Sequence, residues 1–589
     1  MGTVHASEAE GGPSRRAAVA VLAALLAAFL ATTGARALNV PDEGRYAEVA
    51  REMLRLGDFV TPRLDGVPFL DKPPLFYWLE AASFALFGVH VWSARLVPAL
   101  LGFAGCAMVY AAAARLRGRR AGILAALALA ANPYYFGASQ YVNHDLAVAT
   151  WITAAVLAFA AGERAEGSSR RRWLWAGYAA MGLGVLTKGL IGVVLPLGIV
   201  GIWIVATGRW REIRRYQLPS GLLLTAAIAV PWHLVAEARN PGLLHHLIVV
   251  QHFQRFVGSG FNNPAGPLFF PAVIALGLLP WTPLLPSALR RAWGSFRRDR
   301  QSGGTDLLLL VWPALVVVFF SIPHSKIAGY TLPAVPPLAL LVGLELDARL
   351  TRAPAGRPWA LGVSAALMAL IGAGLAAAPL VPALRGLPFG AAAALVAGGA
   401  VALAAGAVVF AERRGRLSFV AGAHVAFAAA LFAAALPALP FFLRDSTEPL
   451  AAALAPRLGP GDLVVSYRRY FYDLPIFLDR TEPIVVAEPW SDPDIPRRDD
   501  WRRDLWFGRE REPASRAWLV EPGELAARCR AVRCFVVTRE RDRAEVEARL
   551  PLAPIAAANG MVLLATSAPV VAAPRPVLSV PAAAGRAGR

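Results

Sequence analysis

The sequence predicts an α-helical polytopic membrane protein of about thirteen transmembrane helices, followed by a small C-terminal α/β periplasmic domain. Three observations predict it. Of 589 residues, 56% are hydrophobic and only 17% charged, where a water-soluble chain carries about 25% charge. Apolar runs of the length a bilayer demands, roughly 20 residues, recur along the first three quarters of the chain. The arginines fall in short clusters between those runs, as the positive-inside rule requires. Lipid offers the backbone no hydrogen-bond partner, so the runs are read as helices.

The spans fall near 17–36, 92–114, 121–137, 145–161, 173–188, 189–206, 219–236, 267–288, 306–322, 330–347, 359–381, 387–411 and 418–440. The first carries no cleavage pattern and reads as a span that stays, leaving 1–16, with Arg15 and Arg16, in the cytoplasm. Arginine-rich loops at 115–120, 170–172, 209–215, 290–300, 349–357 and 413–416 are then cytoplasmic. The loops 37–91, 138–144, the Lys188 turn, 237–266, 323–329 and 382–386 are periplasmic. Residues 17–440 thus form the membrane domain, and an odd number of spans puts 441–566 outside. That segment alternates strand-like runs (463–465, 534–537) with helical ones (449–457, 521–530), an α/β pattern. The Pro/Ala-rich tail 567–589 reads as disordered. Cys106 lies in an apolar run as a core residue. Cys529 and Cys534 lie in the periplasmic segment, where the sequence leaves a disulfide between them open.

The net charge of +19 does not imply a nucleic-acid partner, because the arginines that produce it sit at membrane edges. Lysine is more informative. Among 59 basic residues only Lys72, Lys188 and Lys326 are lysines, and all three fall on the expected periplasmic side. A lysine is a compact point charge suited to phosphate.

Chemistry gathers on the same face. The first loop opens Asn39-Val40-Pro41-Asp42-Glu43-Gly44-Arg45-Tyr46. Asp42 and Glu43 suit a helix start, and one of them is a candidate catalytic carboxylate. Tyr46, Val49, Ala50, Met53 and Leu54 then form an apolar stripe, expected to lie on the membrane surface. Asp71 and Lys72 precede Pro73 and Pro74, which hold the pair in a defined turn. Asp145 opens an apolar span; an ionisable group at that depth is costly and commonly functional, with helix capping as the plain alternative. The loop 237–266 carries His252 and Arg255, three apart and on one helix face; His245 and His246 in the same loop read as plain loop residues. His324, Ser325 and Lys326 precede Tyr330. Cations in such a group hold phosphate. Carboxylates deprotonate a hydroxyl or stabilise positive charge at a sugar carbon. Histidine and carboxylate together suit a divalent metal.

At these residues the chain resembles a known family. Asp42-Glu43-Gly44-Arg45-Tyr46, Gly57-Asp58-Phe59-Val60-Thr61-Pro62-Arg63 and Asp71-Lys72-Pro73-Pro74 look like the first periplasmic loop of the bacterial 4-amino-4-deoxy-L-arabinose lipid A transferases, the ArnT family. That family stands with the protein O-mannosyltransferases among lipid-phosphate-sugar-dependent glycosyltransferases of the GT-C type. Leu186-Thr187-Lys188-Gly189, His252-Phe253-Gln254-Arg255-Phe256 and Ser325-Lys326 with Tyr330 and Leu332-Pro333 resemble further motifs, in matching order over 17–345. The resemblance implies an undecaprenyl-phosphate-linked sugar donor, a lipid A or other envelope-glycan acceptor, an inner-membrane location and a periplasmic active site. Asp42 and Asp145 match the two important acidic positions, with Glu43 beside the first. Arg45, Lys72 and Arg255 match donor-phosphate contacts, with Lys188 and Lys326 as further cations and Tyr46 and Tyr330 lining the substrate pocket. His252 matches a metal-associated position whose partner is usually glutamate; here the residue is Asp71, with a shorter side chain.

The expected reaction is inverting transfer, with cations stabilising the leaving phosphate while the acceptor attacks from the opposite side. Two other readings compete. A protein O-mannosyltransferase shares the first-loop carboxylate. A transporter would spread its charges through the membrane depth and repeat its halves, whereas these polar residues cluster at one face and no repeat is visible.

Overall fold

The computed structural model describes residues 13–254, 264–298, 304–351, 359–381, 391–413, 418–442, 445–498 and 500–566. Both expected terminal tails lie mostly or wholly outside these residues. The chain divides into two compact units. One contains Met1–Ala35, Pro98–Pro231 and Asn263–Phe441; the other contains Arg36–Val97, Trp232–Asn262 and Phe442–Arg589. A boundary drawn at residue 440 therefore misses that two long loops cluster with the C-terminal segment.

The first unit is helical. A helix overlaps each expected span it contains, but the spans are less uniform than hydropathy implies. Among the described residues of the whole chain, six helices are long and apolar enough to cross a membrane, or eight if two bent pairs each count as one. The expected span 121–137 is a pair, Arg119–Ala130 and Pro133–Ser139, bent by 71°. Ala131 closes the first helix and Asn132 caps the second, its side chain accepting from the Tyr135 amide at 2.9 Å. The expected span 267–288 is Phe269–Gly277 followed by Thr282–Arg298, bent by 109°. Pro280, which has no N–H to donate, occupies that break, and Pro283 stands in the first turn after it. Ile191–Ala206 is apolar but shorter than a full span.

Small residues let these helices approach. A Cβ on Gly372 would lie 2.8 Å from the Gly398 carbonyl, so Trp359–Ala377 and Ala391–Arg413 meet backbone to backbone there. The same device builds the Lys188 tip. Gly189 ends Gly167–Lys188 at φ 79. The chain returns as Ile191–Ala206, with a Cβ on Gly192 falling 2.2 Å from the Gly184 carbonyl carbon.

The second unit is built around a six-stranded sheet. Its strands follow a two-residue hairpin made of β1 (Arg63–Leu64) and β2 (Val67–Pro68). They are β3 (Leu463–Tyr467), β4 (Val485–Ala487), β5 (Leu519–Val520), β6 (Cys534–Arg539), β7 (Leu552–Ala558) and β8 (Met561–Thr566). The order is β5-β4-β3-β6-β8-β7. The first four are parallel, and β6, β8 and β7 pair antiparallel. Strands β3, β4 and β5 are buried at every position, the continuous apolar signature of a parallel sheet covered on both faces. Cys529 and Cys534 form a disulfide, and Cys106 is free and buried.

The Asp42–Leu56 helix forms as expected, but its apolar stripe does not lie on a membrane surface. Tyr46, Val49, Ala50 and Met53 are buried in the unit, and so are Glu48, Arg51 and Glu52 on the other face. The helix packs against Leu75–Phe87 and Leu474–Leu478, which supply the apolar surface that lipid was expected to supply.

Candidate active site

In the second unit the site is assembled on the first turn of Asp42–Leu56. Glu43 holds that turn in place. Arg95 grips both its carboxylate oxygens, at 2.8 and 2.9 Å, and Arg36 binds one of them. Glu43 also accepts from the Asn39 amide at 2.8 Å. Arg95 in turn donates to the Arg36 and Ala37 carbonyls, both at 2.7 Å. Burial opposes the Glu43 charge, but Arg95 and then Arg36 outweigh it and lower the carboxyl to about 2. Both oxygens are engaged and the group holds no proton at neutral pH. Engaged in this way Glu43 holds the turn in position, and its depressed carboxyl makes it a weak base.

Gly44 follows because a Cβ there would sit 3.1 Å from the Asp473 amide. This close approach brings Tyr472 beside Arg45. The Arg45 guanidinium donates to Asp42 Oδ1 at 2.6 Å and to Asp504 Oδ2 at 2.7 Å. It lies 5.2 Å from the Tyr46 ring centroid and 5.6 Å from that of Tyr472, a cation–π arrangement. Tyr472 Oη donates to Asp504 Oδ2 at 3.0 Å. Burial raises the Asp504 carboxyl above its ordinary value, with Arg45 working against the shift. The Asp42 side chain is about a third exposed, 34%, which leaves it the accessible carboxylate of the group.

Lys72 Nζ pairs with Asp71 Oδ2 at 2.7 Å, and the Gln251 amide donates to Asp71 Oδ1. Gln251 also contacts His246 Nε2 at 3.3 Å. Burial lowers the His246 imidazole, and nearby Asp71 opposes the shift. His246, read from sequence as a plain loop residue, is therefore part of this cluster. His252 lies in His245–Gln254, its side chain beyond what the structure describes, and Arg255 lies outside the described residues. Both Asp71 oxygens are engaged by nitrogen donors, and among the described residues no group of three His, Cys, Asp or Glu could hold a metal.

The first unit holds its own pair. Asp145 lies in the first turn of His144–Glu163, but Asn143 is the cap, its side chain accepting from the Asp145 amide at 2.9 Å. Asp145 is thus spared from capping and pairs with Lys188 at the tip described above. The Lys188 ammonium lies 5.0 Å from the Tyr330 ring centroid. Gly329 is required beside them, because a Cβ there would fall 2.5 Å from Asp145 Oδ2. Lys326 is buried and donates to the Pro323 carbonyl at 2.7 Å, so it braces its own loop.

This helical unit, with its charged loops and mixed-sheet companion, defines a polytopic membrane protein of the GT-C type. Comparison with known proteins makes it ArnT-like. Residues 16–247 match the family described as dolichyl-phosphate-mannose-protein mannosyltransferase. The chain is 34% identical over 319 residues to the undecaprenyl phosphate-alpha-4-amino-4-deoxy-L-arabinose arabinosyl transferase of Aeromonas salmonicida, covering 53% of this chain and 57% of that one. It is 33% identical over 362 residues to the enzyme of that name from Pectobacterium carotovorum, covering 61% and 63%. The matched stretch thus spans little more than half the length of these curated relatives. The structure resembles ArnT from Cupriavidus metallidurans bound to undecaprenyl phosphate, with a TM-score of 0.80 and 28% identity over 95% of this chain and 99% of that one. Against the same protein in the apo state the TM-score is 0.77 at 27% identity, covering 93% and 97%.

Proposed function

We propose that this protein transfers a sugar from an undecaprenyl-phosphate-linked donor to lipid A or lipopolysaccharide, at the periplasmic face of the inner membrane. The likeness to the undecaprenyl-phosphate complex of ArnT, over 99% of that chain, carries the reading. The Cys529–Cys534 disulfide agrees with an oxidising compartment for the sheet.

Lys72 and Arg45 take the donor phosphate. Each is already held by carboxylates, which fix where its N–H groups point before substrate arrives; fixed donors stabilise developing charge without reorganising. As the anomeric C–O bond breaks, the leaving phosphate gains charge against these cations. The acceptor attacks the opposite face, and the configuration inverts. An acceptor phosphate is ionised at neutral pH and needs no base. Asp42, about a third exposed, then orients the acceptor and stabilises positive charge at the sugar carbon. Asp145, with Lys188 and Tyr330 beside it, is the second acidic group.

Lipid A from the host, with and without this gene, tests the proposal by mass spectrometry. Loss of one sugar-sized mass on deletion supports it and names the sugar. An unchanged spectrum contradicts it. The family match over 16–247 favours protein O-mannosylation as the second reading, which predicts glycoproteins of altered mass instead.

A further inference from the structure

The C-terminal sheet has a feature the transfer reaction does not use. From β3 the chain steps to β4 and then β5 on one side, and β6 returns on the other side of β3. In open α/β sheets, ligands bind outside the carboxyl ends of the strands near such a reversal.

Independent marks lie there. Arg468, the first residue beyond β3, has φ 60, a left-handed conformation that costs energy for a residue with a Cβ and gathers at functional sites. Its guanidinium forms a two-point pair with Glu545 at 2.6 and 3.0 Å. Glu488, the first residue beyond β4, is 95% buried, with 5% relative exposure. Its Oε2 has no hydrogen-bond partner among the described residues, a costly state for a buried carboxylate. Arg502 stands 3.6 Å from Glu488 Oε1 and is itself held by Asp500 at 2.7 Å. Burial pushes the Glu488 carboxyl up to about 7, against the pull of Arg468 and Arg502. Trp501, half-buried, precedes Arg502 and packs edge-on to Trp490 with centroids 6.1 Å apart.

The two guanidinium groups are outnumbered by Glu488, Asp492, Asp500 and Glu545, so a phosphate would meet carboxylates as well as cations. Hydroxyls suit the set better. Each both donates to a carboxylate and accepts from a guanidinium. We propose that this end of the sheet is a saccharide subsite. Glu488, Arg468 and Arg502 take the hydroxyls of one pyranose ring of the acceptor glycan, and Trp501 lies against a face of that ring. The proposal deepens the glycosyltransferase reading and rests on it for the word acceptor.

Saturation-transfer NMR on the full chain in detergent micelles tests it, with the methyl glycosides of glucosamine and glucose as probes. Saturation reaches the ring protons of at least one probe, and Glu488→Gln and Trp501→Leu each weaken its binding about tenfold, the loss expected for one charge-assisted hydrogen bond or one stacking surface. Binding is retained in Asp42→Asn, so failure of the transfer reading and failure of this one are told apart. The isosteric Glu488→Gln keeps the test valid if Trp501→Leu unfolds. No transfer to either probe, equal binding by Glu488→Gln, or displacement of the glycoside by inorganic phosphate overturns the proposal.

Discussion

Arg45 and Asp504 meet at 2.7 Å although 459 positions separate them in sequence. The contact ties the first loop motif to the helix Trp501–Arg511 of the C-terminal segment, so the segment helps to aim a candidate phosphate-binding guanidinium. Asp504→Asn keeps the shape and removes the charge. It is expected to weaken donor use, measured as kcat/KM in a transfer assay, by about tenfold, the worth of a charge-assisted hydrogen bond. Unchanged kinetics would show that Asp504 does not position Arg45.

Glu43 is expected to matter for stability. Glu43→Gln leaves Arg36 and Arg95 buried without their anion, and breaking such a group costs about 3–5 kcal/mol. Thermal melting in detergent reads this as a fall of many degrees. The pH dependence follows from the lowered carboxyl. Its contribution is fully present above the ordinary value of 4.5 and is lost as pH falls towards about 2. A variant that melts like the parent contradicts the positioning role.

Glu52 behaves oppositely. It is buried, and its carboxyl is pushed up to about 8 by burial first and then by Glu48, against the Gly66 amide, Arg51 and Arg63. Both its oxygens accept from Gly66, at 3.0 and 3.2 Å. A carboxyl raised in the folded state favours the fold below 4.5, and that advantage is lost as pH rises through about 8. Glu52→Gln is therefore expected to melt above the parent at pH 8 and to match it near pH 5. Melting curves that stay parallel across this range contradict the assignment.

Lys72→Ala is expected to reduce undecaprenyl-phosphate affinity about tenfold or more, since it removes one charge-assisted contact to the phosphate. Native mass spectrometry of the purified protein with titrated lipid measures it. Full retention of the lipid would move the phosphate away from Asp71-Lys72-Pro73-Pro74.

Much of this was legible in sequence because it rests on local signals. Apolar run length locates the helices, and short motifs single out Asp42, Lys72, Asp145 and Lys188 as candidates. What sequence missed depends on long-range contact. Asp504 and Tyr472 carry no local signal that points to Arg45. Glu43 and Asp42 are adjacent and chemically alike, and only burial between Arg36 and Arg95 separates their roles. The stripe of Asp42–Leu56 has the same periodicity whether it faces lipid or protein, so hydropathy could not choose between them. His246 looked plain because its neighbour Asp71 is far away in the chain.

The central claim is transfer of a lipid-phosphate-linked sugar with Asp42 at the reacting centre. The most direct measurement follows lipid A of the host by mass spectrometry, with the gene deleted and then restored as the parent chain or as Asp42→Asn. The account predicts one added sugar on lipid A with the parent chain and none with Asp42→Asn, the variant being folded and still binding undecaprenyl phosphate. An unmodified lipid A with the parent chain, or a fully active Asp42→Asn, would contradict it.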